Sequence, residues 1–399
     1  MVNLIREIKD MTRPSLEKRL QVANNIGLHA TLRYTLLCAR VMGFLPLSGL
    51  TSFNGRDVRC AWKSPYSIYY GLSIFGQTLT FILSFVWLLE KGLSLRTVST
   101  SVFYSSSFLS CMILAHIAKC WPHFLTNVED METKLPPFTR NVSKMSNVTV
   151  TCIFLLAVVE HLLSKMYSYT MTNACVNCSI DETYFSENLQ WVFDRTRYTL
   201  WKGLLVETIN IQSTFLWTYN DLLIMILGIY LSEHFVEHTR LLKQALQEQN
   251  FSVEEFRVQH LRIVHLVRQF NKLFGIYILL SFGFNLYWIC MQLFYSLDTL
   301  RRLEYAIYFT FSLSFLVARI LMVWLLSANV HSKSNGSILL LYEIPTHRFD
   351  VEVQRFIDQI NNIKIGLSGL DFFFVTRNMI LTLFGTIVTY ELVLLQYNR

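Results

Sequence analysis

The chain has 399 residues, of which 52% are hydrophobic and 16% charged, and its formal net charge is +7 at pH 7. Soluble domains usually contain about 25% charged residues. This deficit, together with repeated apolar runs of about 20 residues, excludes an ordinary soluble domain and predicts an all-α polytopic membrane protein. We see no low-complexity linker and no internal repeat typical of an inverted-repeat transporter.

The first 65 residues are mixed and basic, and they lack the apolar core of a signal peptide. Residues 34–50 are apolar, but they contain Arg40 and are interrupted by Gly43 and Pro46. We therefore predict an N-terminal segment over 1–65 that includes a short interfacial or re-entrant piece and no membrane span.

Seven apolar stretches are long enough to cross a bilayer, since about 20 residues at 1.5 Å per residue span its ~30 Å of hydrocarbon. They lie at about 66–89, 98–119, 147–171, 203–233, 273–296, 304–330 and 379–397. Two other segments, 237–272 and 331–370, mix charges with apolar residues at helical spacing, and they predict a helical anchor region outside the membrane. Within the second, one helical face carries Phe349, Val353, Phe356 and Ile360.

The distribution of Lys and Arg predicts the orientation of the chain. These residues are concentrated in the N-terminal segment and in the loops after the second, fourth and sixth spans. Because cytoplasmic loops carry the excess of basic residues, we predict a cytoplasmic N-terminus. With seven spans the C-terminus is then extracellular, which is opposite to a G-protein-coupled receptor.

The loop from 171 to 199 is predicted to be extracellular, and its contents agree with that location. It holds Cys175 and Cys178 and a glycosylation sequon that begins at Asn177, which is modified only on the lumenal side. A Cys175–Cys178 disulfide and two free thiols are equally compatible with the sequence. The cysteines elsewhere in the chain are predicted to be buried structural thiols.

Sequence motifs for catalysis are missing, since the chain has no GxGxxG, GxxxxGK[ST] or GxSxG pattern, and we predict neither an enzyme nor a bound cofactor or metal. His234 and His238 stand at i and i+4 with Glu233 and Glu237 beside them, a spacing that can chelate zinc. The zinc-protease pattern requires Glu directly after the first His, where Phe235 stands. A solvated helix end is therefore the favoured interpretation of this pair.

Polar side chains inside the spans carry the functional signal, because they are costly in hydrocarbon unless they face a partner, a bundle interior or water. Carboxylates and amides beside aromatic rings suit a neutral polyhydroxylated ligand: the polar groups bind its hydroxyls and a ring covers its C–H face. We predict a small-molecule pocket open to the outside, with candidate ligand-binding residues His161, Lys165, Glu207, Asn210, Gln212, Trp217, Asp221, Trp288, Gln292, Tyr295 and Tyr308. The alternative is contact between helices, such as Glu160 or Asp221 pairing with Arg319.

The seventh span combines a membrane-length apolar run with two polar residues, Glu391 and Gln396. Thr389, Val393 and Gln396 recur at i, i+4 and i+7, so they share one helical face. Glu391 is rotated by ~200° from Val393 at ~100° per residue, and it is predicted to point into the subunit.

Residues 389–397, TYELVLLQY, resemble the signature of insect gustatory receptors, which is Thr-Tyr, five mostly apolar residues and Gln-Phe, with Tyr397 here in place of the Phe. Glu391 after Thr-Tyr resembles the sugar-receptor branch of that family. Length, span count and orientation match over essentially the whole chain, and further similarity lies at 44–49, 62–64 and 215–222.

The resemblance implies a tetrameric, ligand-gated, non-selective cation channel whose seventh helices line one central pore, with a ligand pocket among spans two to six of each subunit. Carried over by motif position, Val393 and Gln396 would form the constriction, on the face shared with Thr389. Glu391 and its neighbour Tyr390 would couple the pore to the pocket, although Glu391 alternatively pairs with a basic or hydroxyl partner.

The partners implied by the resemblance are a mono- or disaccharide, permeant cations, the lipid bilayer, and further copies of the chain or related subunits, but no nucleic acid. The implied location is the plasma membrane of gustatory neurons. Three alternatives stay open: the same channel gated by a bitter compound or another non-sugar tastant, a metabotropic seven-helix receptor, and a transporter or membrane enzyme.

Overall fold

Most of the chain is helical in a computed structural model that describes residues 27–52, 54–61, 64–172, 180–248, 252–296 and 303–397. The predicted disulfide of Cys175 and Cys178 and the sequon at Asn177 lie outside these ranges and stay predictions. The side chain of Glu391 is also outside the described part of the structure, although its backbone lies in the last helix.

Helices lie over all seven predicted spans. In chain order the helices are α1 (Leu28–Val41), α2 (Pro65–Lys91), α3 (Leu95–Glu132), α4 (Val142–Thr172), α5 (Ile180–Asn188), α6 (Gln190–Phe193), α7 (Leu200–Gln247), α8 (Val253–Ser296), α9 (Leu303–Ser334), α10 (Ile338–Tyr342), α11 (Val351–Asn362) and α12 (Arg377–Tyr397). Within the described residues, six helices are long and apolar enough to cross a membrane by length and composition: α2, α3, α4, α7, α8 and α9. The seventh stretch forms α12, a helix of 21 residues.

Short extended segments join these helices. β1 (Leu47–Ser48) pairs antiparallel with β2 (Arg59–Cys60), and single 3₁₀ turns lie at Gly55–Asp57 and Thr346–Arg348. Just before α12, β3 (Ser368–Gly369) pairs antiparallel with β4 (Phe373–Phe374).

The helix α7 forms the centre of the molecule, and all its side chains from 218 to 231 are buried. Because the side chains on every face of this stretch are buried, other parts of the protein must surround it, and α7 packs against α9, α8, α4, α3, α1 and α2. It approaches α9 closely at Gly228, where a Cβ atom would lie 2.6 Å from the carbonyl oxygen of Leu326.

We expect Gly228→Ala to destabilise the folded protein by about 1–3 kcal/mol, because the added methyl group must force two helix backbones apart. Gly283→Ala is the matched control, since a Cβ atom at this helical glycine of α8 meets no atom within 4 Å among the described residues. The control should melt at the same temperature as the wild type or higher, because alanine favours helix by about 1 kcal/mol. Thermal denaturation followed by fluorescence-detected size exclusion would measure both variants. Equal melting temperatures would contradict the assigned close contact.

The apolar residues 34–50 form the end of α1 and the turn that follows. A helix of 14 residues is about 21 Å long, shorter than the hydrocarbon layer, so its length agrees with the prediction of a non-spanning piece. Its buried residues Leu28, Leu32 and Leu36 recur every fourth position and pack among the other helices. The helix ends at Val41, and the turn that follows contains Gly43, whose φ of 77° suits glycine.

The amphipathic segment before α12 is helical from Val351 to Asn362. Val353, Phe356 and Ile360 are buried against residues of α7 and α10, as their shared face predicts. Phe349, which we placed on the same face, is 41% exposed. The prediction was wrong for this residue because α11 begins only after Asp350, whose side chain accepts a hydrogen bond from the backbone N–H of Val353.

The expectation of a solvated helix end at His234 and His238 was also wrong, since both side chains are buried. Nε2 of His238 donates to the carbonyl oxygen of Phe256 at 2.9 Å, and Nδ1 lies 3.3 Å from the Ser337 hydroxyl. The ring of His234 packs 4.5 Å from the ring of Phe138. In the described part of the chain no group of three or more His, Cys, Asp or Glu residues is arranged to hold a metal ion.

Candidate functional site

A polar stripe runs along one face of α7. Glu207, Asn210, Trp217 and Asp221 are separated by three, seven and four residues, so helical periodicity brings them onto the same side. A second stripe on α8 consists of Asn285, Trp288 and Gln292, again at helical spacing. The two stripes lie on helices that pack against each other, and α4 and α9 complete the surroundings.

The end of the α7 stripe nearest Leu200 contacts α4 through charged groups. Lys165 of α4 forms an ion pair with the carboxylate of Glu207, and both side chains are half-buried. Within the described residues, the buried Nε2 of His161 and the two carboxylate oxygens of Glu207 have no hydrogen bond besides this ion pair. Buried polar atoms that lack a hydrogen-bond partner can bind the hydroxyl groups of a ligand, and a hydroxyl group can donate to the carboxylate.

The middle of the site is aromatic. The rings of Trp217 and Trp288 lie 5.4 Å apart, and Nε1 of Trp217 donates to Oδ1 of Asn285 at 3.2 Å. The guanidinium group of Arg319 from α9 lies 4.1 Å from the Trp217 ring centroid, within the range of a cation–π contact. Half-buried indole rings of this kind can cover the apolar face of a sugar ring.

The deep end of the stripe is a closed ionic network. Asp221 has no exposed surface. Its carboxylate lies 3.0 Å from Nε of Arg319, and it accepts hydrogen bonds of 2.8 Å from both Ser281 and Asn285. The structure therefore contains the Asp221–Arg319 pair that the sequence analysis gave as the alternative to ligand binding. Asn285 joins this network to the two tryptophans.

The other predicted ligand residues lie around these groups. Gln292 donates to the hydroxyl of Ser312 at 3.1 Å, and Ser312 donates in turn to Glu160 at 2.9 Å. Tyr308 of α9 stacks on Tyr167 of α4 with ring centroids 5.6 Å apart. Tyr295 is half-buried close to the end of α8.

Gln212 lies on a different face of α7 from the stripe. Its amide nitrogen donates to the carbonyl oxygen of Met42 at 2.7 Å and to the hydroxyl of Ser73 at 2.5 Å, and its amide oxygen accepts from Gln77. These contacts hold α2 and the turn after α1 against α7. Gln212 is thus grouped with the helix-packing residues and apart from the other candidates.

Sequence reasoning missed Asn285 and Tyr104 as residues of the site. The hydroxyl of Tyr104 donates to Oδ1 of Asn210 at 3.2 Å, and its ring lies 4.6 Å from the buried Trp191 of α6. Asn285 precedes Trp288 by three residues and Gln292 by seven, so its helical spacing was a usable signal. Tyr104 gave none, because a single tyrosine among the serines of α3 is typical of helix packing.

Ion pairs and a hydrogen bond hold the loop between α6 and α7 against the end of α2. Asp194 lies 3.1 Å from Nζ of Lys91 and accepts from Nε1 of Trp87 at 3.2 Å, while Arg195 pairs with Glu90 at 2.6 Å. The hydrogen bond from Lys91 is the main cause that lowers the pKa of Asp194 below its ordinary value. The loop thereby holds Trp191 beside the α3 side of the site.

The terminal helix α12 has two distinct faces. Ile380 and Ile387 are buried, and Phe384 between them packs against Trp324 of α9 with ring centroids 5.8 Å apart. On the opposite face Val393 is 50% exposed, and Thr389 and Gln396 are exposed as well. Tyr390, a predicted coupling residue, is 46% exposed in the single chain.

Six described helices that are long and apolar enough to cross a bilayer place this chain among the multi-pass helical membrane proteins. Within that class the chain belongs to the trehalose receptor family, whose model matches residues 11–399. This match confirms the resemblance to the sugar branch of the insect gustatory receptors.

Three relatives from Drosophila melanogaster are similar over most of their length. The gustatory receptor for sugar taste 64f is 30% identical over 381 residues, which cover 93% of this chain and 81% of the relative. The gustatory receptor for sugar taste 64a is 31% identical over 379 residues, with 91% and 83% covered. The gustatory receptor 5a for trehalose is 29% identical over 384 residues, with 93% and 85% covered. All three are named as receptors, in agreement with the prediction that this chain is not an enzyme.

The fold is similar to that of a solved insect chemoreceptor. The olfactory receptor OR5 from Machilis hrabei in complex with eugenol superposes with a TM-score of 0.65 and covers 92% of this chain and 97% of its own, at 16% sequence identity. At this identity the likeness concerns the fold alone.

Proposed function

We propose that this receptor is a sugar-gated, non-selective cation channel in the plasma membrane of taste neurons. Its subunits, four identical chains or chains of related receptors, would surround one pore, with each N-terminus in the cytoplasm and each C-terminus outside. The observation that carries the channel mechanism is the two-faced helix α12. One face packs on the bundle at Ile380 and Ile387, and the other leaves Val393 exposed.

A helix with one packed and one exposed face suits a position beside a central axis. In a tetramer the exposed faces of four copies of α12 would meet around that axis and line the pore. Val393 and Gln396 would form its narrowest part, with Thr389 one turn deeper. An apolar ring next to an amide ring can close by excluding water and open when the helices move apart.

The sugar would bind along the α7 and α8 stripes. Glu207 and Asn210 offer acceptors for hydroxyl groups, and Trp217 and Trp288 offer flat apolar surfaces. Sugar would open the channel by binding the open state more tightly than the closed state.

Helix α9 provides a physical connection between the two regions. Arg319 of α9 contacts Trp217 in the site, and Trp324 on the same helix packs on Phe384 of α12. A shift of α9 caused by sugar would therefore move a helix that holds the pore face. Glu391 and Tyr390 stay proposed coupling residues at the far end of α12.

Whole-cell recording from cells that express the chain tests this proposal. A panel of mono- and disaccharides should evoke cation currents that begin without second messengers. Currents evoked by an alkaloid but by no sugar would move the assignment to a receptor for bitter compounds. An epitope tag at the C-terminus that is inaccessible on intact cells would overturn the orientation and favour a metabotropic seven-helix receptor. Steady uptake of a substrate without any current would favour a transporter.

We expect Glu207→Gln to raise the sugar concentration for half-maximal current by about tenfold or more, since a hydrogen bond to a charged group is worth about 1.5–3 kcal/mol. The double variant Glu207→Gln with Lys165→Gln should behave similarly, which separates the loss of an acceptor from the effect of an unpaired lysine. Glu352→Gln is the control, because Glu352 also pairs with a basic residue but lies on α11, outside the site. Unchanged sugar sensitivity in both site variants would remove Glu207 from the binding site.

A further inference from the structure

A cavity of about 760 Å³ lies between α1 and the beginning of α4, and none of its described lining residues is among those proposed for sugar or pore. One wall is a face of α1 that includes Arg33 and Leu37. The other wall comes from the first turns of α4, including Lys144 and Cys152. In the proposed orientation this end of both helices is on the cytoplasmic side.

One end of the cavity carries positive charge and unused polar atoms. Arg33 and Lys144 stand on its two walls, and no carboxylate is among its described lining residues. Nη2 of Arg33 also donates to the carbonyl oxygen of Thr51 at 2.7 Å. His29 is only 6% exposed, and its Nε2 lies 2.9 Å from the carbonyl oxygen of Ser52. Its Nδ1 and the buried Oδ1 of Asn147 have no hydrogen-bond partner in the described part of the structure. The two basic side chains suit a negatively charged group, and the two unpartnered atoms can accept hydrogen bonds from a donor on the same ligand.

The other end of the cavity is apolar and opens towards lipid. Leu37, Val148 and Cys152 line it. Val148 is 54% exposed, and the next turns of α4 expose Leu155 and Leu156 in the same way. A row of exposed apolar side chains on a membrane helix faces hydrocarbon. Because the predicted span begins at about residue 147, the cavity crosses the level at which head groups give way to acyl chains.

We propose that this cavity binds an anionic phospholipid of the cytoplasmic leaflet. Its phosphate lies between Arg33 and Lys144, near the start of α4. One acyl chain follows Leu37 and Val148 into the bilayer. Basic cavities between membrane helices on the cytoplasmic side are suited to such head groups. The bound lipid joins α1 to α4, and the proposal requires the predicted orientation but neither the sugar ligand nor the channel.

Binding of a fluorescent short-chain phosphatidylserine to the purified full-length receptor in neutral detergent tests the proposal. The variant Arg33→Gln with Lys144→Gln should bind about thirtyfold more weakly than the wild type, since each basic residue near an anionic lipid contributes about 1 kcal/mol. The matched control is Lys243→Gln with Arg348→Gln, which removes two exposed positive charges outside the cavity. This control should bind like the wild type.

Competition separates the possible sources of the negative charge. Unlabelled phosphatidylserine should displace the probe, whereas phosphatidylcholine and inorganic phosphate should not do so at the same concentrations. Displacement by inorganic phosphate alone would show a small-anion site and overturn the assignment to a lipid. Equal affinities of the two double variants would overturn the assignment to this cavity. The assay contains no sugar and records no current, so its failure is independent of the proposed channel function.

Discussion

Replacing Arg319 by methionine is expected to leave little folded receptor. The substitution removes the only basic partner of Asp221 among the described residues, and this carboxylate has no exposed surface. Removing one partner of a buried ion pair costs about 3–5 kcal/mol, because the remaining charge stays in a medium that solvates it poorly. Such a loss is a large fraction of the ~5–15 kcal/mol that stabilises a typical protein.

A second substitution separates charge from packing in this experiment. Arg319→Met combined with Asp221→Asn removes both charges and keeps an oxygen that accepts from Ser281. The double variant should recover most of the monodisperse receptor measured by fluorescence-detected size exclusion, together with its surface expression. If the single and double variants are equally unstable, the role of Arg319 is packing against Trp217 and not neutralisation of Asp221.

Placing a thiol at Val393 should make the sugar-evoked current sensitive to a positively charged methanethiosulfonate reagent. A fixed cation about 4 Å from a permeant cation costs about 4 kcal/mol at an effective dielectric constant of 20. We therefore expect the current through Val393→Cys to fall at least tenfold after treatment. Gln396→Cys, on the same exposed face, should respond in the same way.

Controls for this experiment come from the other face of α12 and from the native chain. Ile387→Cys places the thiol on the buried face, where only 4% of the native side chain is exposed, and its current should resist the reagent. The wild type contains the exposed Cys152, so its insensitivity must be established first. Block at Ile387→Cys without block at Val393→Cys would reverse the assignment of the two faces.

The helices were predictable because hydrocarbon imposes a simple requirement on sequence. Each span needs a continuous apolar run, and helices cover all seven predicted ranges. The ends of the membrane spans were less predictable. The helical region predicted over 237–272 is formed by extensions of α7, to Gln247, and of α8, from Val253, where charged residues interrupt the apolar pattern. Tertiary packing determines helicity there, so hydropathy gives no boundary.

The contacts of individual polar residues were less accessible to sequence reasoning. Sequence reasoning selected Glu207, Trp217 and Asp221 as candidate ligand residues of one span, and the structure has them on one face of α7. It did not distinguish Asp221, which is fully buried against Arg319, from Glu207, whose side chain is 14% exposed. Burial of His234 was equally hidden, because it depends on how the region around Phe138 folds over α7. Helix rotation and tilt are set by packing between helices and not by composition.

The uninterrupted length of α7 has a mechanical consequence. At 1.5 Å per residue its 48 residues make a rod of about 72 Å, longer than a bilayer with its head groups. Gly228, pressed against the backbone of α9, divides this rod into arms of about 42 Å and 28 Å. A lever pivoting at that point would swing its two ends in opposite directions, with the larger stroke on the arm that carries Glu207. A displacement of the longer arm at the ligand would then produce a smaller displacement, with a larger force, at the opposite end of α7 on the other side of the membrane.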